Sequence, residues 1–387
     1  MPHVPSRFPH NDIMTLTSEQ MRYDLAESLG PDLRLGQIFA KGLGAELEDL
    51  ALAYGPTEGR AALRQLIAAR HGVDGDDVIA TVGCMQALFL IAFILGEPGA
   101  DAVIGRPVFP NARSVLGAVR MHVGELPIRF DDGYRLDVDR LRSLLTPRTR
   151  LVSLASPQNP SGVALTEQEV RGVLAGMDEI CPDAFLLVDE TYREAVYGDV
   201  DVRPSLVGLD RRIVSCASLS KCHGAPGIRT GWVVTQDRAL RAQLALAKFN
   251  TTISNSVVDE AIALRIMQDL NSIMRDRRRH LAAGLVRTAA FVDAHTELIE
   301  WIRPDAGALC CIRLRREVFD DAAVSRFHAE LARRETRVGP GSWFGDEPRV
   351  FRLGFGLLTL PDLDEALGRT AQALRQAATQ PAPIATS

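Results

Sequence analysis

An alternation through the middle of this chain constrains its fold more than any other feature. Short β-branched or apolar runs occur at Asp101–Gly105, Leu151–Ala155, Phe185–Val188, Ile213–Ala217 and Gly231–Thr235, and helix-like stretches separate several of them, including Ala61–Arg70, Gln86–Leu95 and Glu167–Ile180. Apolar runs this short, without polar alternation, are what strands look like when helices cover both faces of their sheet. The pattern therefore predicts an α/β fold built on a mostly parallel sheet covered by helices. Thr166 before Glu167, with Glu169 three positions after Thr166, reads as a capping box that starts one of those helices.

From Ser256 to His295 the pattern turns helical and charged, with Arg275, Arg277, Arg278 and Arg279 in its middle. No aromatic residues interleave with them, and the net charge of the chain is −5, so a solvated or domain-spanning helix face is the expectation and nucleic acid is not a partner. Gly307–Leu314, Asp320–Arg334 and Val350–Phe355 then read strand, helix, strand, a smaller C-terminal α/β domain. The 387 residues divide into an N-terminal segment (1–45) joining the small domain, a large domain (46–280), the small domain (281–378) and a loose tail (379–387). The Ala-, Pro-, Thr- and Ser-rich composition of that tail begins at Gln376.

Other classes fall away on simple counts. The longest apolar run, Ala87–Leu95, is nine residues. A membrane-spanning helix needs ~20, so no membrane partner is expected. Met1–Asn11 has no apolar core and two prolines before Arg7, which does not read as a secretory signal. The six cysteines contain no CxxC, and the eight histidines form no pair at ligand spacing, so no metal site is predicted. Cys310 and Cys311 sit in an apolar stretch and read as buried free thiols of a cytoplasmic protein.

The P-loop, dinucleotide, zincin and nucleophile-elbow motifs are all absent. What remains is the segment Ser218-Leu219-Ser220-Lys221-Cys222-His223-Gly224-Ala225-Pro226-Gly227-Ile228-Arg229, between two predicted strands. A lysine held there is partly buried and close to a cation, and both effects lower its pKa and free its amine for nucleophilic attack. Serine hydroxyls and a guanidinium are what a phosphate dianion needs. A reactive lysine beside a phosphate seat points to pyridoxal 5'-phosphate.

Seven ordered motifs extend this: Tyr54-x4-Gly59-x3-Leu63-Arg64, Thr81 through Leu88, Pro107-Val108-Phe109, Pro157-Gln158-Asn159-Pro160-Ser161-Gly162, Asp189-Glu190-Thr191-Tyr192, Ser218-x-Ser220-Lys221 through Arg229, and Pro340-Gly341-Ser342 followed by Arg352-x-Gly354-Phe355. Together they resemble the fold-type-I pyridoxal-phosphate enzymes of the class I/II aminotransferase family. The resemblance covers roughly Tyr54 to Phe355.

It implies a role for each residue. Lys221 carries the cofactor as a Schiff base and moves the substrate's α-proton, with Asp189 and Tyr192 as further catalytic residues. Asp189 faces the pyridine nitrogen, Asn159 and Tyr192 bond the ring's phenolic oxygen, and Phe109 stacks on the ring where the family often has tyrosine. The backbone N–H groups of Cys84 and Met85 hold the phosphate at a helix N-terminus, with Ser218 and Arg229 completing the cradle and Ser220 the lesser candidate. Tyr54 reaches the phosphate of the neighbouring subunit, which implies a homodimer with composite active sites. Arg352 grips the α-carboxylate of a small-molecule amino-acid substrate, beside Asn159.

Blander readings stand beside these. Asp189 alone fits a helix N-cap and Arg352 a surface ion pair. His223 fits a structural hydrogen bond, Cys222 a small filler, and Trp232 and Trp343 core or pocket wall. The segment Asp24–Gly36 stands where relatives bring a mobile glycine-bearing strip, here Gly30, over the substrate. Its acids, Glu27 among them, resemble those of relatives acting on arginine-like amino acids, where a carboxylate pairs with a guanidinium. The resemblance thus implies an aminotransferase of an L-amino acid. The alternatives are a cyclase, lyase or oxidase of a basic amino acid, and a non-catalytic regulatory domain on the same fold.

Overall fold

The computed structural model describes residues 6–379. Its strands, in chain order, are β1 (Tyr23–Leu25), β2 (Val78–Val82), β3 (Asp101–Arg106), β4 (His122–Pro127), β5 (Thr149–Ala155), β6 (Phe185–Asp189), β7 (Ile213–Ser218), β8 (Thr230–Thr235), β9 (Ile299–Ile302), β10 (Leu309–Leu314), β11 (Thr336–Pro340) and β12 (Val350–Gly354). Seven of them form one sheet in the order β2-β8-β7-β6-β5-β3-β4, and five form another in the order β1-β11-β12-β10-β9.

The five expected runs are β3, β5, β6, β7 and β8, each within a residue or two of its predicted bounds. Strands β3 to β7 are mutually parallel where they pair, and β8 runs antiparallel to both its neighbours. Burial on both faces explains the unbroken apolar spelling. In β6, Leu186 and Val188 pack with Val170, Val173 and Met177 of the helix Glu167–Ile180, whereas Leu187 between them packs with Leu88 and Ile91 of the helix Gly83–Leu95. The capping box is present: Thr166 Oγ1 accepts from the Glu169 amide at 3.2 Å, and a Glu169 carboxylate oxygen accepts from the Thr166 amide at 2.6 Å.

The structure departs from the sequence reading in four places. The helix Gly83–Leu95 begins before Gln86, because the Gln86 side chain reaches back to accept from the Val82 amide at 2.7 Å and closes an extra turn. The smaller sheet has strands that the reading left out. β11 is spelled Thr-Arg-Val-Gly-Pro, and β1 becomes a strand only by pairing with it, Asp24 opposite Arg337. Arg277 does not lie on a solvated face: Arg275 and Arg279 are exposed, but Arg277 falls on the buried stripe of the helix Leu270–Asp293. Finally, Gln376 to Thr379 close the helix Leu360–Thr379, whose apolar face continues through the fully buried Leu374 and Ala377. The rest of that stretch, 380–387, lies outside the described residues.

Candidate active site

Three parallel strands of the large sheet end level with one another: Ala155 of β5 stands opposite Asp189 of β6, and Asp189 opposite Cys216 of β7. The chain leaving these carboxyl ends builds a cleft, the usual ligand-binding edge of an α/β sheet. Asn159 lies in the loop after β5, Tyr192 in the turn after β6, and Lys221 just past the end of β7. The other wall comes from the smaller sheet, where Arg352 sits mid-strand in β12.

Burial pushes the Lys221 amine down to about 8, against the pull of Glu27, whose Oε2 lies 4.0 Å from Nζ. Asp189 is the last residue of β6, and burial raises its carboxyl above the usual range. One of its oxygens accepts from the Thr191 amide at 2.9 Å. A turn rather than a helix follows, so this bond closes an Asx turn and is not a helix cap.

Arg352 is 1% exposed. Its Nη1 donates to Asn159 Oδ1 at 2.7 Å, its Nη2 donates to the Ala26 carbonyl, and its fork lies 4.5 Å over the Phe344 ring. Its Nε is buried without a hydrogen-bond partner, an open donor on a charged fork. Tyr192 is buried, and its hydroxyl shares a 2.7 Å bond with Ser28. Gly354 lies where the Glu27 carbonyl presses on β12; any side chain there would strike it, and this contact seats Glu27 beside the cleft.

The helix Gly83–Leu95 opens directly from β2 at Gly83, whose φ is +68°. Arg229 packs against Gly83 so closely that a Cβ there would collide with its guanidinium. Arg229 Nη1 also reaches Ser220 Oγ at 3.4 Å. Ser218 is buried, and its hydroxyl accepts from the Ser220 amide at 3.3 Å, so Ser220 is the serine facing Arg229. A guanidinium beside the positive end of a helix is unfavourable unless an anion sits between them. The Cys84 and Met85 amides belong to that first turn. These residues fit pyridoxal 5'-phosphate: an anion seat at Gly83–Met85 and Arg229, an amine at Lys221, and a carboxylate at Asp189.

Not every candidate joins the cluster. Tyr54 is 82% exposed and makes no hydrogen bond among the described residues. Phe109 is half-buried as the N-cap of the helix Pro110–Ala118, in a loop anchored where Gln158 Nε2 donates to the Pro107 carbonyl at 3.0 Å. Gly30 is buried, its backbone against the Arg277 guanidinium. His223 is structural, with Nδ1 3.3 Å from the Ser218 carbonyl oxygen and Nε2 3.6 Å from Glu194. Trp232 is core, donating to His71 Nε2 at 3.0 Å.

Sequence reasoning missed Ser28, Phe344 and Cys216. The Cys84 and Cys216 sulfurs and an Asp189 oxygen lie within 4.8 Å of one another. The only sequence signal for Cys216 was its place two residues before the end of β7, on the same face as Ser218.

The protein family described as Aminotransferase class I and II matches residues 11–369. Capreomycidine synthase of Streptomyces vinaceus is 30% identical over 342 residues, 85% of this chain and 82% of that protein. An arginine–pyruvate transaminase of Pseudomonas aeruginosa is 35% identical over 190 residues, so the match spans about half of each protein, 47% of both. Among solved structures, the pyridoxal-phosphate-dependent cyclase OrfR superposes with a TM-score of 0.84 at 26% identity, over 97% of this chain and 99% of that one. A pyridoxal-phosphate-dependent aminotransferase from Streptococcus suis gives 0.87 at 23% identity, over 97% and 100%, a likeness of fold. No helix among the described residues is long and apolar enough to cross a membrane.

Proposed function

Because this chain belongs to the class I and II aminotransferase family, we propose that it is a pyridoxal-phosphate-dependent, aminotransferase-like enzyme acting on an L-amino acid. The observation that carries this reading is Arg352, a fully buried cation at the wall of the cleft whose Nε has no hydrogen-bond partner. A substrate carboxylate satisfies such a fork in two places at once.

When bound, the cofactor supplies an electron sink for the charge left on Cα as one of its bonds breaks. The chain supplies the rest. Lys221 is the amine that holds the cofactor and then takes and returns the α-proton at Nζ; a pKa of about 8 leaves a useful fraction unprotonated near neutral pH. Asp189 would be the carboxylate opposite the ring nitrogen, where its charge would favour a proton on that nitrogen. Arg352 and Asn159 orient the substrate so that one chosen bond stands across the ring plane. Tyr192 and Asn159 would hold the ring oxygen, Phe109 would pack on the ring, and Arg229, Ser220, Ser218 and the Cys84 and Met85 amides would hold the phosphate.

A second reading is favoured by Glu27. Its carboxylate reaches to 4.0 Å from the Lys221 amine. There it pairs with a cationic side chain of the substrate. The name of the similar arginine–pyruvate transaminase supports a basic amino acid, and that of the OrfR cyclase supports ring closure as the alternative to transamination. The exposed Tyr54 supports a homodimer in which it reaches the neighbour's phosphate, and the free cysteines fit a reducing cytoplasm.

A panel of amino acids, L-arginine included, titrated against the cofactor-loaded protein tests these readings by visible absorbance and product mass. Loss of the visible band with release of a 2-oxo acid establishes transamination. A ring-closed product that keeps every nitrogen of the substrate, with the visible band retained, supports cyclisation, and a 2-oxo acid released with free ammonia and the band retained supports elimination. No spectral response to any amino acid refutes both. Glu27→Gln should reduce turnover of basic amino acids selectively, and an equal effect on neutral ones would remove Glu27 from side-chain recognition.

A further inference from the structure

We infer that Arg277 is a positioning residue: its guanidinium latches residues 26–33 onto the Lys221 loop, so that this segment works as a fixed wall of the cleft and not as a free flap. The inference rests on the reading above that Lys221, Tyr192 and Arg352 form the working site.

The latch is built from two glycines and two carbonyls. Arg277 Nε donates to the Cys222 carbonyl at 2.6 Å, and Nη1 donates to the Pro31 carbonyl. One bond goes to the residue next to Lys221 and the other to the N-terminal segment. The fork passes between Gly30 and Gly224. A Cβ on Gly30 would stand 2.6 Å from Nη2, and one on Gly224 would also collide with the guanidinium. Alongside, the Leu33 amide donates to the Gly224 carbonyl at 2.7 Å.

Arg277 is buried, and no carboxylate lies within ion-pair distance of it among the described residues. A buried cation whose hydrogen bonds go only to carbonyls, with the Asp32 charge of the same N-terminal segment acting on it from beyond ion-pair distance, is a costly way to fill space, and a leucine would fill it better. What the arginine adds is a directed link between two segments far apart in the chain.

The segment it holds touches each main site residue in turn. The Ala26 carbonyl accepts from Arg352, Glu27 lies 4.0 Å from the Lys221 amine, and Ser28 bonds the Tyr192 hydroxyl at 2.7 Å. None of these contacts reaches Arg229 or the first turn of the helix Gly83–Leu95. Loosening the latch therefore weakens substrate binding and spares the phosphate seat.

The test uses the full-length, cofactor-loaded protein in three forms: wild type, Arg277→Met, and Gly30→Ala, which keeps the arginine but crowds its fork. Hydrogen–deuterium exchange over residues 26–33 should accelerate at least tenfold in both variants, with β5 to β7 unchanged. The KM for L-arginine should rise at least tenfold while the cofactor dissociation constant changes less than threefold, and Arg277→Lys should recover part of the loss. Exchange within twofold of wild type in both variants would overturn the proposal, as would parallel loss of cofactor and L-arginine binding. If Arg277→Met does not fold, Gly30→Ala decides by the same readings. A wild type that ignores L-arginine counts against the basic-substrate reading alone, and the exchange comparison then decides this one.

Discussion

Arg352 donates to Asn159 Oδ1 at 2.7 Å, and this bond joins a strand of the five-stranded sheet to the loop leaving the seven-stranded one. The site therefore lies between the two sheets. On the proposed function, one end of the substrate is gripped from one sheet, while Lys221 belongs to the other.

Truncating Arg352 to Ala should raise the KM for the amino acid substrate by the equivalent of about 2–5 kcal/mol, the usual loss when one partner of a buried charged pair is removed. Cofactor affinity should stay within a few-fold. Equal losses in both, measured by substrate kinetics and cofactor titration, would mean the residue only braces the two sheets.

Replacing Lys221 by Ala should abolish the visible absorbance of the cofactor-loaded protein together with its activity, because it removes the amine that holds the cofactor. An unchanged spectrum in that variant sinks the assignment.

Asp189→Ala should retain part of the cofactor and lose turnover by about a hundredfold or more, the scale on which a buried group stabilising developing charge contributes. Near-normal kcat in steady-state assays would remove it from the ring-nitrogen role.

The cofactor-free protein offers a separate check on burial of the Lys221 amine. Its pKa falls from 10.5 in the unfolded chain to about 8 in the folded one. Below pH 8 the folded state bears the full cost of a buried ammonium, and the cost vanishes as pH rises toward 10.5, where the unfolded chain also loses its proton. Lys221→Met should therefore stabilise the cofactor-free protein at pH 7 by about 1–3 kcal/mol, and the advantage should shrink steadily above pH 8. Urea titrations of both proteins at pH 7 and pH 10 measure this, and a difference independent of pH contradicts it.

Much of the large sheet was legible in the amino-acid order because its signals are local. The spelling of β5, β6 and β7 reflects burial on two faces, and Thr166 with Glu169 announces a helix start within four residues. Lys221 was legible from its immediate surroundings. The burial of Arg277 was not legible, for the opposite reason. Its neighbours in the chain are charged, and what buries it comes from Gly30 and Gly224, far away in sequence. Ser28 and β1 were equally illegible, since a hydroxyl and a three-residue strand carry no pattern until Tyr192 and β11 stand beside them.

By itself, then, the order of residues determined the alternating α/β architecture, a lysine just past the end of β7, and the carboxylate at the end of β6. Periodicity and turn chemistry act over a few residues and leave their mark there. Only the tertiary structure decided that Glu27 faces the Lys221 amine, that Ser220 and not Ser218 meets Arg229, and that Arg277 holds the N-terminal segment down. Those outcomes depend on which distant surfaces exclude water from one another, and no stretch of chain carries that information alone.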